Sequence, residues 1–209
     1  MKINETTLYK EAINLIKRND SNNLINLLPG FKLIHYDRPT DLVASIYEPV
    51  LCLIMQGSKE TILGNDRFAF GAGQCLIVSH DVPVVSRITE ASPDKPYIAA
   101  ILDIDLGILR SLYEQIGENT TKQAEAEKSM CLNHAEPSLI DALGRYISLV
   151  NDPLEKNILA HLILKEIHFR LLIAQNGGML RKLLWHDSNA SRISKAIENI
   201  LLQMIKVEL

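Results

Sequence analysis

Apolar residues recur with two different periods along this chain, and the change of period divides it. Residues 5–19 place Leu8, Ala12, Leu15 and Ile16 at helical spacing, with Thr6 or Thr7 able to cap the start. SNNLINLLPG, residues 21–30, is expected as a loop or brief turn of helix that Pro29-Gly30 ends. From residue 31 the texture becomes that of strands: 31–36, 42–47, a longer strand over 50–63 bent near Gly57, then 68–70, 75–79, 82–89 and 97–104. Turn residues separate them, as in Gly64-Asn65-Asp66, Gly71-Ala72-Gly73 and Ser92-Pro93-Asp94. Short strands at this spacing predict a sandwich or a barrel. LCLIM and CLIV are apolar on both faces, so one face would line an interior and the other would pack on a second layer.

After Asp103 the period turns helical. Helices are predicted over 105–117, capped by Asp105, over 138–150 with Pro137 in the first turn, over 154–175 closed by Gly177-Gly178, over 178–184 for a turn or two, and over 188–209. Residues 118–128 read as a polar loop and 129–132 as a short extended piece. The helix over 154–175 has two apolar rows: Ile158, Leu162, Phe169 and Ile173, and Leu159, Ile163 and Ile167. One row can cover the strands; the other needs a neighbouring helix or a second subunit.

Composition narrows the function. The chain has 209 residues, 47% hydrophobic and 22% charged, which excludes a disordered chain. No apolar run is long enough to span a membrane, and the polar, amphipathic start lacks a secretory layout, so a cytoplasmic protein is expected. A net charge of −3 does not favour nucleic acid as a direct partner. Cys52, Cys75 and Cys131 form no C-x-x-C pair and read as buried free thiols. The six histidines form no H-x-H or H-E-x-x-H pair, so neither a metal nor another cofactor is expected.

Three local patterns suggest chemistry. Gly71-Ala-Gly73 leads into a strand rather than a helix and reads as a hairpin turn, not a phosphate cradle. Ser79, His80 and Asp81 are adjacent, so they cannot form a catalytic relay among themselves; His80 remains a candidate for a pocket rim. Gln56, Lys59 and Glu60 are polar residues in or just after an apolar strand: either the strand runs out into solvent there, or they face inward, where polar groups need a partner and a ligand can be one.

Four ordered stretches resemble the N-terminal domain of AraC-type transcriptional regulators. They are Tyr47-Glu-Pro49 through Gln56-Gly-Ser-Lys59; Phe70 through Ser79 with Asp81-Val-Pro83; Ala91-Ser92 through Pro96-Tyr97 to Asp103; and Glu166 through Leu172 with Gly177 through Arg181 and Arg192 through Ile197. The resemblance implies an α+β fold: a cupin-like β-barrel (a double-stranded β-helix, or jelly roll) followed by a helical C-terminal part. Residues 1–104 would form the N-terminal helix and barrel, and 105–209 the helices for dimerisation and linkage, packed on the barrel as one unit. Such a domain binds a small-molecule effector, forms a homodimer and controls a helix-turn-helix DNA-binding module. That module would begin near residue 200 and does not follow here, so DNA would be reached only through a module not present, and a truncated, frame-shifted or shortened sensor is expected. Expected ligand-binding residues are Cys52, Ile54, Gln56, Lys59, His80 and Tyr97, with no catalytic residue. The alternatives are an interaction module that pairs with a full-length relative and a small cupin enzyme; for the latter the strands offer only His35 and His80.

Overall fold

The computed structural model describes residues 2–19, 22–116, 129–174, 177–181 and 184. The chain is α+β. A 3-10 turn, Ile3–Glu5, leads into helix α1, Thr7–Arg18. The Thr6 hydroxyl accepts from the Tyr9 N–H and caps α1, which buries Leu8, Ala12, Leu15 and Ile16. Ten strands follow: β1 Leu24–Leu28, β2 Phe31–Tyr36, β3 Val43–Tyr47, β4 Val50–Gln56, β5 Ser58–Leu63, β6 Asp66–Gly71, β7 Gln74–Val78, β8 Val82–Glu90, β9 Tyr97–Asp103 and β10 Met130–His134. Helices α2 (Leu106–Ile116), α3 (Pro137–Ser148) and α4 (Pro153–Ile173) complete the named elements.

The strands form two antiparallel sheets, ordered β1-β2-β9-β4-β7-β10 and β3-β8-β5-β6. Pairing is nested about the β5–β6 hairpin: β4 pairs with β7, β3 with β8 and β2 with β9. Folding that nested ribbon over itself gives a jelly roll. The two sheets face each other without ladder hydrogen bonds joining them, so the expected closed container is an open sandwich. Closure fails because each sheet ends in its own edge strands.

Three expectations change. Residues 24–28 form an edge strand instead of a loop, held antiparallel to β2. The stretch 50–63 is two strands in different sheets, and Gly57, at φ 77°, turns the corner. Likewise Ala72-Gly73 carries the chain from β6 to β7, which lie in different sheets, so it is a corner and not a hairpin.

The larger sheet buries both faces. Leu51, Leu53, Met55, Ile98, Ala100 and Leu102 face the helices with Leu8, Leu139, Leu143, Ile167 and Leu171. Cys52, Ile54, Leu76, Val78 and Ala99 face the smaller sheet's Phe70, Val82, Val84 and Ile88. The alternation along β4 and β9 sends successive side chains into different cores. Near the helices, the buried His168 ring accepts from the Asp105 N–H through Nε2 at 2.8 Å and donates through Nδ1 to the Leu164 carbonyl at 2.8 Å. This ties α4 to the start of α2. Asp105 caps α2 by accepting from the Ile108 N–H, and Asp152 caps α4. Residues 178–181 are helical, and Arg181 donates to the carbonyls of Leu172 and Ala174 at the end of α4. The predicted helix over 188–209 and the loop over 118–128 lie outside the described residues.

Candidate functional site

Between the sheets, one polar cluster interrupts an apolar interior. It begins on β5, where Lys59 and Thr61, two residues apart, share the inward face. The Lys59 ammonium lies over the Tyr47 ring, 5.2 Å from its centroid. The Tyr47 hydroxyl donates to Ser86 Oγ at 3.1 Å, and Ser86 sits opposite Thr61 in the β5–β8 ladder. Thr61 is fully buried, and its hydroxyl has no hydrogen-bond partner among the described residues. Cys52 and Tyr97 close the cluster from the larger sheet, both buried.

The electrostatics of this cluster are set by burial. Burial is the largest influence on Lys59 and pulls its pKa down, but the adjoining Cys52 thiol and the Tyr47 and Tyr36 groups outweigh it and leave the pKa above the ordinary lysine value. Burial pushes the Cys52 thiol up, with Lys59 acting in the opposite sense, and pushes the Tyr97 phenol well above its usual range. At neutral pH the cluster is therefore one ammonium among neutral hydroxyl and thiol groups. Among the described residues no carboxylate pairs with Lys59.

Of the six expected binding residues, the structure brings Cys52, Ile54, Lys59 and Tyr97 together between the sheets. Gln56 is elsewhere. Alternation from Cys52 and Ile54 would turn it inward, but a β-bulge between Ile54 and Gln56 places it opposite Ile98, on the helix side. There its amide oxygen accepts from the Tyr9 hydroxyl at 2.7 Å, and its nitrogen donates to the Pro96 carbonyl at 2.8 Å. Gln56 also lines an open cleft of about 690 Å³ with Asn4, Met55, Glu90, His134 and Ile140. His80 lies past the other end of β7, exposed, its ring hydrogen-bonded between Ser79 Oγ at 2.9 Å and Ser129 Oγ at 3.1 Å. Glu60 faces outward and is held by Arg67 and Arg87 at 2.6 and 2.9 Å; the Arg67 hydrogen bond keeps its carboxyl below the usual range. Reasoning from sequence missed Thr61, Tyr47 and Ser86. Alternation from Lys59 pointed to Thr61, but an uncharged hydroxyl in a strand carries no signal of its own.

The family model for the N-terminus of AraC-type transcriptional regulators matches residues 27–179. The chain belongs to this family. The match takes in strands β2 to β10 and helices α2 to α4. Among solved structures, an apo form of ToxT from Vibrio cholerae is 12% identical with a TM-score of 0.46, covering 72% of this chain and 58% of that one. Wild-type ToxT from the same organism, bound to an unsaturated fatty acid, is 14% identical with a TM-score of 0.46 over 70% of this chain and 56% of that one. The AraC-like transcriptional activator CuxR is 15% identical with a TM-score of 0.43 over 78% and 62%. This chain thus spans little more than half the length of ToxT. No curated protein matches it. Among the described residues no three His, Cys, Asp or Glu side chains are placed to hold a metal ion, and no helix is long and apolar enough to cross a membrane.

Proposed function

We propose that this chain is the non-enzymatic, effector-sensing and dimerising part of a cytoplasmic transcriptional regulator, with the effector held between the two sheets. The observation that carries the reading is the cluster around Lys59 and Thr61: a polar group in an apolar interior costs free energy unless it has a partner, and a ligand supplies one. The middle of the sandwich is filled by Ile54, Leu76, Val84 and Ala99. The effector therefore sits toward Lys59, Tyr36 and Tyr47, which are only half-buried.

Dimerisation is assigned to α4. Its row Leu159, Ile163 and Ile167 faces the core, while Leu154, Ile158, Leu162 and Ile173 are 75, 58, 52 and 43% exposed. A second copy of the same row is a self-complementary cover for that face. DNA recognition would come from a helix-turn-helix module linked to these helices. An effector biases such a module only through its different affinity for two arrangements of the domain. Thermal-shift screening of metabolites on the pure protein tests the sensing claim: the expected result is a raised melting temperature with some member, and a screen in which none raises it contradicts the claim.

A further inference from the structure

We propose that the outer edge of β3 is a docking site for another protein, which lays an extended, uncharged segment flanked by lysine or arginine against Val43–Tyr47 and adds a strand to the smaller sheet. This site is separate from the effector and from the apolar row on α4.

A sheet edge offers a row of N–H and C=O groups to any strand that reaches it, and folded proteins block such edges with charge, proline, a bulge or a covering element. The other edge strands here are interrupted or polar. A bulge breaks β1 between Asn26 and Leu28, β6 opens with Asp66 and Arg67, and β10 ends in Asn133 and His134. β3 has none of these features. Its sequence is Val-Ala-Ser-Ile-Tyr, and it pairs in unbroken register with β8 alone. Val43 through Ile46 are exposed, Val43 by 58% and Ile46 by 70%. Ala44 and Ile46 stand on the outer face of the sheet, opposite Val85 and Pro83, and with Ile62 these residues line a groove of about 450 Å³. A strand laid beside β3 extends the ladder with its backbone and covers the groove with alternate side chains, which makes an apolar segment the fitting one.

Charge sets the flanks of that segment. Asp41 and Glu48 border β3, and Asp81 precedes β8, whose Val82 pairs with Tyr47. All three carboxylates are exposed, and among the described residues none is in an ion pair. The nearby cations are engaged, Arg38 by Asp37 and Arg87 by Glu60. The edge thus has an acidic border, which attracts a basic flank. The same border disfavours a second copy of this chain, which would bring the same carboxylates to the same edge.

The test is fluorescence-anisotropy titration of the whole chain with a labelled, end-blocked peptide, Val-Thr-Val-Thr-Val between pairs of lysines. One control peptide has proline at the central position, and another has glutamates in place of the lysines. The expected result is that the lysine peptide binds at least about tenfold more tightly than either control, since proline removes a ladder donor and glutamate meets the acidic border. Amide hydrogen exchange over residues 43–47 should slow on binding, which reads the contact in the unsubstituted protein. Ile46→Lys puts a charge on the exposed edge and should weaken binding at least about tenfold, with its melting curve establishing that it folds. Ile158→Lys, on α4, should leave binding unchanged. A proline peptide that binds as tightly would overturn strand addition, and a glutamate peptide that binds as tightly would overturn the basic flank. Absence of binding by the lysine peptide, or unaltered exchange over 43–47, would remove the site. A wild-type assembly that Ile46→Lys takes apart without any peptide would give the edge to a second copy and contradict the proposal.

Discussion

Two single side chains test opposite sides of this account. Thr61 holds a buried hydroxyl with no hydrogen-bond partner among the described residues, which costs stability. Thr61→Val removes it at nearly the same shape, so the variant should be more stable by roughly 1 kcal/mol in urea unfolding. It should also bind the effector less tightly, since a group kept at a cost to the fold is kept for the ligand. His168 makes the second case. Burial holds its pKa below the ordinary value of 6.5, and both ring nitrogens are used in the neutral form. The unfolded chain therefore takes up a proton at higher pH than the folded one. Stability from this ring is complete above pH 6.5 and is lost as the pH falls from there toward the lowered folded value. Unfolding at pH 7.5 and 5.5 should show this decline, and His168→Gln should flatten that part of the profile. An unchanged slope would mean the ring does not titrate as its contacts require.

At the scale of the elements, the corner between β4 and β5 carries the chain from one sheet to the other. Gly57 has φ 77°, and a Cβ there would meet the Glu90 carbonyl. Gly57→Ala should cost roughly 2 kcal/mol, read as a lowered urea midpoint, because the side chain is strained by both the backbone angle and the contact. The same corner explains what the sequence could and could not reveal. Runs such as LCLIM and CLIV announced strands buried on both faces, and the helices over 5–19, 105–117, 138–150 and 154–175 were legible from their period. The division of 50–63 between two sheets was not, because both halves are apolar and a glycine bend looks alike within a strand and between sheets. Leu24–Leu28 was hidden by Asn26, by Asn22 and Asn23 before it and by the Pro29-Gly30 that follows, since an edge strand needs apolar residues at alternate positions only. Lys59 stood out as a charge in an apolar run. Gln56 looked equivalent, but a one-residue bulge, invisible in composition, turned it to the helices.

At the scale of the whole molecule, the larger sheet separates an inter-sheet core from a helix-covered core, and its strands contribute to both. A ligand beside Cys52 and Ile54 touches the strand whose other face packs on α1 and α3, and α3 in turn contacts α4. Under the proposed reading, an effector held there would reach the exposed row on α4 through this packing. Ile158→Glu with Leu162→Glu should convert a dimer to a monomer in light scattering without lowering the melting temperature of the monomer fold, because both side chains are exposed. A wild-type chain that is monomeric at every concentration would contradict the assignment of α4. The location of the effector is the claim on which the rest depends, and isoleucine-methyl NMR during titration with a metabolite that raises the melting temperature reads it directly. Shifts are expected at Ile54 and Ile88, between the sheets. Shifts confined to Ile3 and Ile140, at the open cleft by Gln56, or to Ile46 and Ile62, on the outer face of the smaller sheet, would contradict it.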